Sequence, residues 1–174
     1  VMHTLLSEEE VRQGVARMVS EIEQTYGDRP LTIVGVLTGS IVLLADMIRQ
    51  LSMPLRVGVV QASSYRGDTK RGHLVINSDL MLDIARHDVL VVDDIFDTGN
   101  TLCELIKLLQ QLEPLSIRSA VLLRKHGRQE VDLEPDYVAF EIPNEIVVGY
   151  GLDYRDAYRN LPYVAALDPD DLTS

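Results

Sequence analysis

The sequence contains one cysteine, Cys103, so it supports neither an intrachain disulfide nor a thiolate metal site. This scarcity favours a reducing compartment, and we expect a cytoplasmic protein. No apolar stretch approaches the roughly 18 residues that a membrane helix needs, and no signal-peptide pattern opens the chain. Positive charge is also scarce, because 16 basic residues stand against 27 acidic ones and give a net charge of -11. We therefore expect binding to neither membranes nor nucleic acids, since the latter requires a basic surface.

The chain has 174 residues, of which 46% are hydrophobic, and this predicts a single domain (1–174) with a sizeable core. A capping box at Ser7 and Glu10 predicts a first helix that ends at Gly27. Apolar runs predict strands over 31–37, 55–62, 73–77, 88–92, 119–123 and 137–142, and helices over 41–51 and 100–112. Alternating strands and helices indicate an α/β fold whose mostly parallel twisted sheet is flanked by helices. Ligands bind such sheets at the carboxyl ends of the strands.

The stretch "VLVVDDIFDTGNTL" (89–102) ends an apolar strand with carboxylates and a glycine turn. Gly99 permits a backbone conformation in which successive N–H groups point into one concavity, and the helix that begins near Asn100 adds its free N–H groups. Thr98 and Thr101 add hydroxyl donors, so the turn predicts a cradle for a phosphate monoester. An ordinary helix N-cap with acidic residues favoured by the helix dipole is the alternative explanation.

Asp93 and Asp94 are adjacent in a strand, so their side chains are expected on opposite faces, and the two should not both coordinate one metal ion directly. Hard oxygen ligands beside a phosphate cradle favour Mg²⁺. Asp97 is free to act as a base or as a hydrogen-bond acceptor toward a substrate nitrogen.

The same stretch resembles the phosphoribosyl-diphosphate signature of the type I phosphoribosyltransferases, and the rest of the chain resembles their 6-oxopurine (hypoxanthine-guanine) branch. The resemblance rests on "VGVLTGS", "SSYRGDTKRG", "LLRK" and "FEIPNEIVVGYGLDYRDAYRNLPYV". It implies a core over roughly 31–142, a small hood from roughly 1–15 and 143–174, and a flexible lid over 63–72. It also implies a homodimer or homotetramer.

The activity that the resemblance implies is purine salvage. The 5-phosphoribosyl group would pass, with Mg²⁺, from phosphoribosyl diphosphate to hypoxanthine or guanine, giving IMP or GMP and pyrophosphate. The loop 97–101 would bind the 5′-phosphate, and Asp93 and Asp94 would flank the ribose hydroxyls directly or through metal-bound water. Asp97 would be the catalytic residue that accepts the proton of the purine imidazole nitrogen.

Residues for the base and the leaving group follow from the resemblance as well. Lys125 would donate to the 6-oxo group, which penalises the amino group of adenine. Ile146 would cover the purine face, and Val147 would offer its backbone carbonyl to the base. Asp153 would lie beside the purine and help to hold a Mg²⁺ bound to the pyrophosphate. The pyrophosphate would be bound by Thr38, Gly39 and Arg159, and the lid would close through Ser64 and Tyr65. Without the resemblance, Lys125 would be an ordinary exposed lysine, 146–148 a core strand and 63–72 a surface loop.

Three positions differ from the pattern of this branch. Thr38 stands where many relatives have lysine, in a loop that binds pyrophosphate through a cis peptide. Ile146 stands where the residue that stacks on the purine is often aromatic, and Asp93 stands where the acidic pair often begins with glutamate.

Other functions remain open at this point. A xanthine-preferring enzyme would keep the same mechanism. This alternative stays open because the extra carbonyl of xanthine would be read by hood contacts. An RNA-binding regulator built on the same fold would need a basic surface, which the charge of -11 disfavours. A phospho-acceptor receiver domain would carry its acidic pair on the first strand and its acceptor on another, whereas Asp97 shares the loop of the pair.

Overall fold

The computed structural model describes residues 2–64, 74–77, 79 and 81–172. The elements in chain order are β1 (His3–Leu6), α1 (Glu8–Tyr26), β2 (Leu31–Leu37), α2 (Ile41–Ile48), β3 (Leu55–Ser64), β4 (Leu74–Asn77), β5 (Asp88–Phe96), α3 (Asn100–Gln110), β6 (Ser116–Lys125), β7 (Tyr137–Ile142), β8 (Val147–Val148) and β9 (Val164–Ala166), followed by a 3₁₀ turn (Pro169–Leu172).

Helix α1 begins at the predicted capping box. The Ser7 hydroxyl accepts the Glu10 N–H at 3.1 Å, and the Glu10 carboxylate accepts the Ser7 N–H at 3.1 Å. The helix ends at Gly27, which has a φ of 58°. Its apolar face is buried at positions three and four residues apart, namely Val11, Val15, Met18, Val19 and Ile22.

The main sheet has the strand order β4-β3-β2-β5-β6-β7. The five strands from β3 to β7 in this order run parallel, and β4 returns antiparallel to β3. The predicted mostly parallel sheet is thus confirmed. Its central strands read as continuous apolar runs because helices cover both faces.

The side chains of β5 alternate between the two faces of this sheet. Leu90 and Val92 pack in a cluster with residues of α1 and α2. Val89 and Val91 pack on the other face, in a cluster that includes α3. The sheet therefore has α1 and α2 on one side and α3 on the other.

A second, antiparallel sheet has the order β1-β9-β8 and joins the N-terminal strand to the C-terminal part of the chain. Val147, Val164 and Ala166 of this sheet belong to the same buried cluster as Val11 and Val15 of α1. The division of one domain into a core, a hood and a lid stays a prediction.

Some boundaries differ from those predicted. Strand β5 runs to Phe96 rather than 92, so the acidic pair lies within the strand rather than beyond it. Helix α2 ends at Ile48, and α3 ends at Gln110. Within the described part of the chain, we find no helix with the length and apolar character needed to span a bilayer.

Candidate active site

Two adjoining cavities lie at the carboxyl edge of the main sheet. One of about 260 Å³ lies between the loop after β2 and the end of β5. The other, of about 270 Å³, lies between the end of β6 and the segment around β8. Asp94, Asp97 and Asp153 line both cavities, so the two form one continuous site.

The turn between β5 and α3 has the backbone geometry that the sequence predicts. Gly99 has a φ of 88° and caps the first turn of α3. A Cβ at this position would lie 2.5 Å from the Phe96 ring and 2.6 Å from Val131, so there is no room for a side chain. Thr98, Gly99 and Thr101 line the first cavity. The turn therefore supplies main-chain and hydroxyl donors at a helix N-terminus, as an anion site requires.

Asp93 and Asp94 both line the first cavity. The Asp93 Oδ1 accepts the Asp94 N–H at 2.8 Å, and the Asp94 Oδ1 accepts the Ile95 N–H at 2.8 Å. Pairing of β5 with β2 stops at Val92, whereas its pairing with β6 continues to Phe96. The prediction that the two carboxyls face opposite sides of the sheet stays a prediction.

This pair is electrostatically strained. Burial raises the pKa of Asp93 well above its usual range, and the charge of Asp94 adds to the rise. Burial also raises the pKa of Asp94, although hydrogen bonds from Asp93 and from the Ile95 N–H, together with the charge of Arg159, act against the rise. The pair consequently retains a proton to a higher pH than an isolated aspartate does.

Asp97 stands between two cations. The Lys125 Nζ lies 3.3 Å from the Asp97 Oδ2, and the Arg128 Nε donates to the Asp97 Oδ1 at 2.8 Å. Partial burial raises the pKa of Asp97, but the hydrogen bond from Arg128 and the charge of Lys125 outweigh it, so the net shift is downward. Asp97 is therefore an ionised hydrogen-bond acceptor.

The second cavity has an apolar wall opposite Lys125. The Lys125 side chain is only 8% exposed at the end of β6. Ile146, Val147 and Leu152 line the same cavity. A flat ring bound in this cavity would meet the apolar side chains, the buried Lys125 and the carboxylates of Asp94, Asp97 and Asp153.

The loop after β2 lies against the acidic pair. A Cβ at Gly39 would lie 1.8 Å from the Asp94 Oδ2, so a side chain there would have to displace the Asp94 carboxylate. The Leu37–Thr38 peptide is cis, and Gly39 lines the first cavity. Thr38 itself is exposed and lies outside the lining of both cavities.

Asp153 and Arg159 close the other side of the first cavity. The Arg159 Nη2 lies 3.3 Å from the Asp153 Oδ1, and the Arg159 Nη1 donates to the Gly151 carbonyl at 2.6 Å. The second Asp153 oxygen accepts the Asp156 N–H at 2.9 Å. The guanidinium therefore adds a positive charge opposite the acidic pair.

The structure brings together most of the residues that the sequence analysis selected. Two predicted site residues, Thr38 and Asn100, are exposed and line neither cavity. The predicted lid falls largely outside the described residues, Tyr65 included, and the Ser64 side chain is likewise not described.

Sequence reasoning missed two contacts around the site. The contact between Arg128 and Asp97 was not predicted. A usable signal was the position of Arg128 shortly after Arg124 and Lys125 at the end of a strand. The Tyr150 hydroxyl donates to the Asp46 carboxylate, which joins the segment after β8 to α2. No local pattern reveals this pair, since the two residues are 104 positions apart.

The acidic residues of the first cavity fit Mg²⁺. Hard carboxylate oxygens are the ligands that this ion prefers, and burial together with the charge of Asp94 raises the pKa of Asp93, so a bound cation would favour its ionised form. Among the described residues, no three His, Cys, Asp or Glu side chains are grouped to hold an ion by themselves. Substrate oxygens and water would have to complete the coordination shell.

Comparison with known proteins gives a consistent family assignment. Residues 2–155 match the family model for the phosphoribosyl transferase domain. A hypoxanthine-guanine phosphoribosyltransferase of Staphylococcus epidermidis is 43% identical over 166 residues, which are 95% of this chain and 93% of the relative. The protein of that name from Staphylococcus aureus is 40% identical over 167 residues, with 95% and 93% covered.

Solved structures agree with the sequence relatives. A hypoxanthine phosphoribosyltransferase from Staphylococcus aureus has a TM-score of 0.92 at 38% identity and covers 99% of this chain and 94% of its own. A hypoxanthine-guanine phosphoribosyltransferase from Bacillus anthracis has a TM-score of 0.90 at 36% identity, with 95% and 98% covered. The chain therefore belongs to the phosphoribosyltransferase family, in its hypoxanthine-guanine branch.

Proposed function

We propose that the chain transfers the 5-phosphoribosyl group of phosphoribosyl diphosphate to hypoxanthine or guanine, giving IMP or GMP and pyrophosphate in purine salvage. The observation that carries the proposal is the position of Asp97. It lies between a cavity lined by the glycine turn on one side and a cavity lined by apolar side chains and the buried Lys125 on the other. A site for both a phosphorylated sugar and a 6-oxopurine needs this combination.

The first cavity would hold the sugar diphosphate. The Thr98–Gly99–Asn100–Thr101 turn would take the 5′-phosphate at the N-terminus of α3. Asp93 and Asp94 would accept hydrogen bonds from the ribose hydroxyls.

The pyrophosphate group would lie between the loop at Thr38 and Gly39 and the guanidinium of Arg159. The planar guanidinium of Arg159 suits a bidentate contact with phosphate oxygens. Negative charge that develops on the leaving group would be stabilised there.

The second cavity would select the base. Lys125 would donate to the 6-oxo group. Because its side chain is buried, we expect strong discrimination against a base without that group. A buried ammonium facing the amino group of adenine would lose its acceptor. Ile146 would cover the purine face, and the Val147 carbonyl would accept from the ring edge.

Asp97 would accept the proton of the imidazole nitrogen as that atom attacks the sugar. Its low pKa keeps it ionised, so it would act mainly by orienting the base and stabilising positive charge on the ring. The predicted lid, with Ser64 and Tyr65, would exclude water from the activated sugar.

Mg²⁺ would be held by Asp153 and by the pair Asp93 and Asp94, directly or through water, and would supply charge neutralisation for the pyrophosphate. We further propose a cytoplasmic homodimer or homotetramer, for which light scattering behind a sizing column gives a direct mass.

The function is tested by assaying nucleotide and pyrophosphate release from phosphoribosyl diphosphate with hypoxanthine, guanine, xanthine, adenine and uracil in parallel. Turnover of the first two, abolished by a chelator and restored by Mg²⁺, is the expected result. Turnover confined to xanthine would replace the proposed substrate. Binding of the sugar diphosphate without turnover of any base would overturn the proposal in favour of a sensing role.

A further inference from the structure

The Arg128 guanidinium contacts the carboxylate at the centre of the site. Its Nε donates to the Asp97 Oδ1 at 2.8 Å, and this is the shortest of the contacts between Asp97 and its two cationic neighbours. Arg128 follows β6 and lies outside the lining of both cavities. Its side chain is 44% exposed, which leaves it open to solvent on its far side.

The segment that carries Arg128 is anchored to the phosphate turn. The Glu130 N–H donates to the Thr98 carbonyl at 2.9 Å, and the Asn100 Nδ2 donates to the Glu130 Oε2 at 3.0 Å. The Val131 side chain closes the space beside Gly99. The guanidinium is thus delivered to Asp97 by a loop that is attached to the same turn.

The two cations cannot both serve Asp97 once a base is bound. Lys125 has three N–H donors on a flexible stem, and the proposed function directs it toward the 6-oxo group of the purine. Arg128 does not line the second cavity, so the bound base would not draw it away from Asp97. The contact at the Oδ1 can therefore persist while the Oδ2 turns to the base.

We propose that Arg128 is a positioning residue, which holds the Asp97 Oδ1 so that the Oδ2 faces the purine imidazole nitrogen. This inference rests on the proposed function and adds a residue to it. A planar guanidinium fixes the direction of a carboxylate better than an ammonium does, because its N–H donors are rigidly placed. The same contact also helps to lower the pKa of Asp97.

The experiment compares Arg128→Ala and Arg128→Lys with the unchanged enzyme, using hypoxanthine as the base. Loss of a partly exposed, charge-assisted hydrogen bond should lower kcat of Arg128→Ala by about tenfold. The KM for phosphoribosyl diphosphate should stay nearly unchanged, because Arg128 lies outside the sugar cavity. Arg128→Lys should recover only part of kcat, since it restores charge without the planar fork.

Chemical rescue separates positioning from a general structural effect. Because Arg128 is half-exposed, added guanidinium can reach the space left in Arg128→Ala and should raise its kcat, whereas sodium chloride at the same concentration should not. Arg124→Ala is the matched control. Arg124 bonds to Gln129 and Glu134 instead of Asp97, so its variant should show no rescue.

Full kcat in Arg128→Ala overturns the inference, and so does a loss that guanidinium fails to reverse. In both cases the unchanged enzyme still converts hypoxanthine, so the proposed function stands. Failure of the unchanged enzyme to convert any purine overturns the proposed function and this inference with it.

Discussion

Replacing Tyr150 with phenylalanine removes the hydroxyl that ties the segment after β8 to helix α2. The hydroxyl donates to the Asp46 carboxylate, and burial raises the pKa of Tyr150, so the donor stays protonated. Gly151, the next residue, lies close to the loop after β2, since a Cβ on it would be 2.5 Å from the Gly39 carbonyl oxygen. The bond therefore supports the junction between the two halves of the site.

The size of the effect follows from the surroundings of the two groups. Hydrogen bonds to charged groups contribute about 1.5–3 kcal/mol to stability. Phenylalanine keeps the buried ring, so no apolar burial is lost. Asp46 lines a cavity of about 420 Å³ between α1, α2 and the segment around Tyr150, where water can replace the hydroxyl. We therefore expect the lower end of the range, about 1.5 kcal/mol.

Urea unfolding of the unliganded protein measures this loss in the free energy of unfolding. The corresponding fall in Tm is about 3–6 °C for a chain of this size. Asp46→Ala and the double variant complete a thermodynamic cycle, and the two changes should be less than additive, with a coupling of about 1 kcal/mol. Strictly additive effects, or a Tyr150→Phe protein as stable as the original, would refute the reasoning.

Three further predictions concern the active site itself. Lys125→Ala should lower kcat/KM for hypoxanthine by about tenfold to a hundredfold and narrow its margin over adenine; an unchanged base profile in steady-state assays would remove Lys125 from base selection. Asp97→Asn should reduce kcat by about a hundredfold or more while phosphoribosyl diphosphate binding, measured by calorimetry, is largely kept; unchanged turnover would exclude Asp97 from the reaction. The pKa of Asp93 is raised in the folded state. The favourable contribution of this residue to the free energy of unfolding is therefore fully present below about pH 4 and is lost as the pH rises through the folded pKa. Asp93→Asn should therefore gain stability relative to the original protein as the pH rises, and a difference that stays constant between acidic and neutral urea titrations would contradict this.

Local sequence signals predicted most of the fold. The capping box at Ser7 and Glu10 and the apolar periodicity of α1 depend on neighbouring residues, so they can be read from the chain directly. The turn between β5 and α3 was predictable for the same reason, because Gly99 permits the left-handed backbone conformation that the turn requires. The alternation of strands and helices then predicted a parallel sheet with its ligand site at the carboxyl edge.

The features that sequence did not predict depend on contacts between distant or irregular segments. Asp93 and Asp94 line one cavity just past the point where the pairing of β5 with β2 stops, and strand periodicity carries no information about where pairing stops. Arg128 reaches Asp97 only through the path of the loop after β6. The roles of Lys125 and Asp153 came from the family resemblance, since a lysine or an aspartate after a strand is common in any α/β protein.

The most direct test of the account is a competition in one tube. The enzyme receives Mg²⁺, limiting phosphoribosyl diphosphate and equal concentrations of hypoxanthine, guanine, xanthine and adenine, and mass spectrometry counts the nucleotides formed. The product ratio equals the ratio of kcat/KM values and needs no separate calibration of the enzyme. The account predicts that IMP and GMP predominate and that AMP stays at background. AMP at a level comparable to IMP, or no nucleotide at all, would contradict it.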